Sequence, residues 1–205
     1  MGLFAILSST MSKNPVLKPF ATSLGTPDEL LGVVAAVSTI PGILISLPVA
    51  SLSDVFGRRK VLLFAAFVFA SAPFLYLGVN SWWTLALVRF YHGFATAIFI
   101  PVAEASIATL FPTKRGEHIS LFNSATAVGR ALAPFLGGYI LFATSKSFFT
   151  LYVAVGIAGV TGFIIALLFL SERKNFGSEP APADKLPRKM FGGWLTIIKN
   201  TQVLG

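Results

Sequence analysis

The chain has 205 residues, 55% of them hydrophobic and only 12% charged, with a formal net charge of +8. Soluble domains carry roughly a quarter charged residues, so this composition excludes an ordinary water-soluble globule and makes a lipid bilayer the expected surroundings. The bases lie in short clusters between apolar runs, without the interleaved exposed aromatics of a nucleic-acid face, so no nucleic-acid partner is expected. The absence of cysteine excludes disulfides and thiolate metal sites, and no G-x-x-x-x-G-K-S/T run offers a nucleotide loop. No metal, cofactor or enzymatic activity is expected.

A crossing helix needs about 20 mostly apolar residues. Six runs are predicted spans of an all-α, polytopic membrane protein: 1–24, 30–53, 61–79, 83–111, 119–143 and 148–170. The first has no bases ahead of it and no small-residue cleavage site, so it reads as an uncleaved span. It is polar through the middle, with Ser8, Ser9, Thr10, Ser12, Lys13, Asn14 and Lys18. Polar groups at mid-bilayer depth are costly unless they face a cavity or partners. Lys13 and Asn14 are therefore candidate cavity residues on a helix bent at Pro15 and Pro19. A partly inserted segment with Lys18 snorkelling outward is the other reading.

Gly25 to Glu29 breaks the chain, and Pro27 followed by Asp28 and Glu29 suits a helix start. The second run ends in the turn Ser51 to Lys60, which packs Asp54, Gly57, Arg58, Arg59 and Lys60 between two nearly charge-free stretches. Asp54 would close a helix at its negative end, an unfavourable place without a partner. Gly57 supplies the tight turn. The residue pattern alone leaves a simple topogenic loop and a moving gate element equally open.

With this turn in the cytoplasm, eleven of the sixteen bases fall on the cytoplasmic side and only Lys146 in an outer loop. That asymmetry predicts a cell-membrane protein with both termini cytoplasmic. Trp82 and Trp83 then begin the fourth run at the outer headgroup zone. Residues 171–190 are charged and proline-rich, a cytoplasmic linker. Residues 191–205 resume weak helical patterning and look like the approach to a further helix.

Three charges lie inside the fourth and fifth runs. Arg89 is about seven residues within its span, where an arginine is expensive and usually functional; snorkelling toward the headgroups is the bland alternative. His92, three residues on, shares its face and reads as a hydrogen-bonded structural histidine rather than a proton carrier. Glu104 and Arg130 come out at depths about 6 Å apart when counted from the run ends at ~1.5 Å per residue. An ion pair between them is expected, since either charge alone would be unstable in hydrocarbon. Tyr91 and Phe99 are looser candidates for a cavity wall. In the fifth run Ala125, Gly129, Ala133 and Gly137 recur every four residues, a small-residue stripe that lets a second helix approach closely. Pro134 should bend that helix.

Leu52, Asp54, Gly57, Arg58 and Lys60 resemble a signature of the major facilitator superfamily, G-x-L-a-D-r-x-G-r-k, carried between its second and third helices. Ala50 replaces the leading glycine and Val55 replaces a base. Arg89 to Gly93 is similar to the family's fourth-helix R-x-x-q-G, with His92 for glutamine. Gly129, Pro134, Gly137 and Gly138 are similar to its antiporter signature g-x-x-x-G-P-x-x-G-G, with Ala133 for the central glycine. The resemblance implies the amino-terminal six-helix half of a transporter built as a three-plus-three inverted repeat around a midplane site. It implies that Asp54, Gly57, Arg58, Arg59 and Lys60 form a cytoplasmic gate latch and that Arg89 helps proton coupling. It implies an exporter of small organic molecules or drugs, driven by proton exchange through alternating access. The partners expected are a small-molecule substrate, protons, the bilayer and a second six-helix half missing from this chain. Sugar or nutrient uptake on the same fold, and a non-transporting membrane fragment that assembles with a partner, are the alternatives.

Overall fold

Helix limits in this chain follow its polar punctuation. The computed structural model describes residues 1–13, 16–45 and 48–170, with the side chains of Ala50 and Ser51 left aside. The expected linker at 171–190, the helix approach at 191–205 and Asn14 lie outside the described residues. Among the described residues the secondary structure is entirely helical: α1 (Gly2–Met11), α2 (Leu17–Ser23), α3 (Asp28–Ala36), a 3-10 turn (Val37–Thr39), α4 (Ile40–Ile45), α5 (Val49–Phe56), α6 (Arg58–Leu77), α7 (Trp82–Leu110), α8 (Arg115–Ala143) and α9 (Phe148–Phe169).

The starts have local causes. Pro27 is the N-cap residue of α3, and Asp28 and Glu29 fill its first turn, where carboxylates complement the positive helix end. Ser81 and Thr84 form a reciprocal capping box at the start of α7. At α9 the Ser147 side chain accepts the Thr150 N–H at 3.2 Å. Helices α6 to α9 have 20, 29, 29 and 22 residues, enough at ~1.5 Å per residue to cross a hydrocarbon core of roughly 30 Å.

Two of the six predicted runs are not single helices. Five segments are long and apolar enough to cross a membrane, Asp28–Ile45 and α6 to α9, while α1 is a shorter apolar helix. The first run stops being regular where it turns polar: α1 ends at Met11, and Lys13 N–H bonds Thr10 in 3-10 fashion at 3.0 Å. Helical bonding resumes with Leu17 N–H to the Lys13 carbonyl at 2.9 Å. Where six spans are expected, the described residues thus show five candidate spans and a short N-terminal apolar helix. The second run is interrupted at Val37–Thr39, where Ser38 and Thr39 hydroxyls turn back on the Ala35 and Ala36 carbonyls at 3.5 and 2.6 Å.

Helix α1 is central. Ala5 and Ile6 join an apolar cluster with Leu62, Phe69, Ala95 and Val102 of α6 and α7. Leu7 and Met11 join a second with Tyr76, Ala133, Leu151 and Val155 of α6, α8 and α9. Close approach is enforced by missing side chains: a Cβ on Gly129 would stand 2.8 Å from the Leu3 carbonyl oxygen, and one on Gly159 would stand 2.6 Å from that of Phe69. The periphery is the Asp28–Ile45 span, 11% buried, and α8, 22% buried over its most apolar window, against 50% for α6. On α8, Phe135, Tyr139 and Phe142 stand 70–85% exposed, a face suited to lipid or another helix rather than water.

Candidate functional site

Interrupting a helix in hydrocarbon frees carbonyl groups that water cannot satisfy. At the Val37–Thr39 turn this task falls to Arg89 of α7. Its Nε donates to the Val34 carbonyl at 2.6 Å, and its Nη2 donates to the Ala35 carbonyl at 2.7 Å and to Ser38 Oγ at 3.0 Å. The side chain is 3% exposed. One turn on, Gly93 lies against the same break: a Cβ there would meet the Ser38 carbonyl oxygen at 2.4 Å and Pro41 Cγ at 3.0 Å. Arg89 and Gly93 together clasp the irregular part of the second run onto α7.

The clasp forms one wall of an open cavity of about 410 Å³, lined by Lys13, Ser38, Thr39, Gly42, Gly93 and Thr96, with Ile43 and Ala97. That volume lies in the range of small-molecule sites, ≈ 300–1,000 Å³. Lys13 enters at the gap between α1 and α2, and its charged neighbour is Arg89. Behind Arg89 sits an aromatic cluster. Tyr76 stacks on Tyr152 with ring centroids 4.7 Å apart, and its hydroxyl lies 3.4 Å from Nδ1 of the fully buried His92. Arg89 Nη1, His92 Nε2 and the Tyr152 hydroxyl have no hydrogen-bond partner among the described residues.

Of the expected cavity residues, Lys13 lines this cavity, and Tyr91 and Phe99 do not. Tyr91 lies two residues before Gly93 and so nearly on the opposite side of α7; its hydroxyl meets Ser71 Oγ at 2.8 Å on α6. Phe99 is 1% exposed, edge-on to Phe69 at 5.7 Å and tilted against Phe122 at 5.9 Å. It borders a separate apolar crevice of about 170 Å³ between Met1, Leu62 and Phe122. Sequence reasoning missed Ser38, Thr39, Gly42 and Thr96. The only available signal was Pro41-Gly42, an interruption within an apolar run.

At one end of the bundle α5 passes into α6 through Gly57, at φ +89°, ψ 125°, a region that glycine alone enters without strain. Asp54 in the last turn of α5 and Arg58 at the first position of α6 each oppose their own helix dipole. The two side chains offset this by pairing, Nη2 to Oδ1 at 3.1 Å. Arg58 also donates from Nη1 to the Ala105 carbonyl of α7 at 2.7 Å and to the Thr109 hydroxyl. Arg59 Nε donates to the Leu170 carbonyl, just past the end of α9. Lys60 is exposed.

The expected ion pair between Glu104 and Arg130 does not form. Glu104 Oε1 instead accepts from Asn123 Nδ2 at 3.0 Å, and Arg130 is exposed. Helix ends explain it. Glu104 is six residues from the end of α7, while Arg130 is fifteen from the start of α8, which begins four residues earlier than expected. The depths therefore differ by about 13 Å rather than 6 Å, and Asn123 stands near the level of Glu104. Further along α8, Gly129, Ala133 and Gly137 are buried, with Gly129 against α1. The helix continues through Pro134. Gly138 has no atom within 4 Å of a hypothetical Cβ.

Comparison with known proteins places this geometry in a family. An uncharacterised MFS-type transporter of Methanocaldococcus jannaschii is 26% identical over 161 residues, 77% of this chain and 41% of that protein. An uncharacterised MFS-type transporter of Bacillus subtilis is 28% identical over 185 residues, 88% of this chain and 43% of that protein. A multidrug transporter of Candida glabrata is 33% identical over 146 residues, 71% of this chain and 25% of that protein. The chain thus spans about 25–43% of the length of these curated relatives. Among solved structures, that of the human organic anion transporter MFSD10 (TETRAN) matches with a TM-score of 0.65 at 18% identity, covering 91% of this chain and 50% of that one. The Major Facilitator Superfamily model matches residues 1–204, and this multi-pass membrane protein belongs to the Major Facilitator Superfamily, a family of transporters and not of enzymes.

Proposed function

We propose that the chain forms the amino-terminal half of a secondary transporter that exports small organic molecules, exchanging them for protons by alternating access. The observation that carries this reading is the open 410 Å³ cavity built on the clasp between α7 and the broken second run. A cavity open on one side fits a site completed by a second half, and the relatives extend well beyond the length of this chain. The multidrug transporter of Candida glabrata to which the chain is similar supports drug-like cargo. In this reading α1 and α2 together make one interrupted crossing, giving six spans in a three-plus-three repeat. The basic turn at Arg58 to Lys60 lies in the cytoplasm with both termini. Asp54, Arg58 and Arg59 there form the inner latch.

Expression in an efflux-deficient host, with and without a matching carboxy-terminal half, tests the reading. Resistance to organic toxicants that needs both halves, and that collapses when the proton gradient is dissipated, is the expected result. Unchanged sensitivity with both halves present at the membrane refutes export. Gradient-insensitive resistance refutes proton coupling.

A further inference from the structure

We infer that the cavity recognises a small organic anion, held by the ammonium of Lys13 against a wall that Arg89 makes electropositive; this rests on the transporter reading above. The argument is a census of charge. The described residues contain five carboxylates, and each has a place away from the cavity. Asp54 pairs with Arg58, Glu104 accepts from Asn123, and Glu117 lies 3.5 Å from Lys114. Asp28 and Glu29 sit in the first turn of α3, about 15 Å along the helix from Ser38 at ~1.5 Å per residue. Lys13 has no carboxylate partner among the described residues, and its charged neighbour is a second cation.

Two like charges at this depth are unfavourable, and a site that keeps them gains when an anion binds. The wall is arranged for this. Arg89 spends its Nε and Nη2 on the break, and Ser38, whose Oγ accepts from Nη2 at 3.0 Å, lines the cavity directly in front of the guanidinium. The Thr96 hydroxyl, held only by a 3.4 Å contact to Ser9, is a further donor. Gly42 and Gly93 leave room beside them. A cationic cargo would meet Lys13 and Arg89 with no acid among the described residues to receive it.

The test uses three probes of one shape in equilibrium binding to the chain in lipid nanodiscs: benzoate, benzamide and benzylammonium. Benzoate is expected to bind at least tenfold more tightly than benzamide, with benzylammonium weakest. Lys13→Gln should abolish that preference and Lys13→Arg should keep it. Equal binding, a preference that survives Lys13→Gln, or no binding of any probe overturns the proposal. Flux of the same probes is then followed in vesicles holding the chain with a carboxy-terminal half. Transport that ignores cargo charge, as when a carboxylate of the second half neutralises Lys13, also overturns it while leaving the transporter reading intact. Charge-selective binding without flux of any probe upholds the anion site and refutes transport.

Discussion

Arg89 and Val34 are 55 positions apart and are joined by a 2.6 Å bond from Nε to a backbone carbonyl. The guanidinium adds side-chain donors to two carbonyls at the lip of the Val37–Thr39 turn. Arg89→Ala removes the side-chain donor to the buried Val34 carbonyl and two part-buried contacts, and should cost about 1–3 kcal/mol. Arg89→Lys should recover only part of this, because an ammonium cannot span the same fork of acceptors. Thermal unfolding in detergent micelles checks both. An Arg89→Lys variant as stable as the parent would refute the clasp.

Gly93 and Gly138 make a matched pair. Gly93→Ala forces a methyl group to within 2.4 Å of backbone at Ser38, and should cost about 1–3 kcal/mol and distort the cavity. Gly138→Ala meets nothing within 4 Å and should be neutral, or stabilising by up to about 1 kcal/mol through helix propensity. The order of the two melting temperatures decides the matter.

At the turn, Gly57→Ala should cost about 1–3 kcal/mol, since φ +89° is closed to a side chain. Asp54→Asn should cost less, about 0.2–1 kcal/mol, because the pair with Arg58 is partly exposed. Limited proteolysis of vesicles with the turn facing the protease should show faster cleavage in both, and fastest in Gly57→Ala.

For Glu104 and Arg130 the expected coupling is nil. A double-mutant cycle with Glu104→Gln and Arg130→Gln should return an interaction energy below about 0.5 kcal/mol. The cycle between Glu104 and Asn123→Ala should exceed it.

What could be read beforehand was whatever the chain settles locally. Asp54, Gly57 and Arg58 lie within five residues, so charge, turn and helix polarity constrain one another without reference to the rest of the fold. Helix starts at Asp28 and Trp82 follow from neighbouring Pro27 and Ser81 for the same reason. Arg89 stood out because its charge is costly in hydrocarbon, yet nothing in the sequence names Val34 and Ala35 as its acceptors, since backbone carbonyls leave no side-chain signature. Ser38 and Thr39 were invisible for a related reason: hydroxyls within an apolar run read as tolerated, and their turning back on Ala35 and Ala36 depends on the break itself. The Glu104–Arg130 expectation failed on a four-residue error at the start of α8, which became an error of several ångströms in depth. Tyr91 and Phe99 were drawn toward the cavity by residue type, although helical rotation from Gly93 already pointed Tyr91 elsewhere.

The two arginines beyond Gly57 reach different neighbours, Arg58 the Ala105 carbonyl of α7 and Arg59 the Leu170 carbonyl after α9. Four helices are therefore moored to one short stretch of backbone. A twist applied there travels into α5, α6, α7 and α9 together, and slippage of one helix past the others requires several charge-assisted bonds to let go in concert.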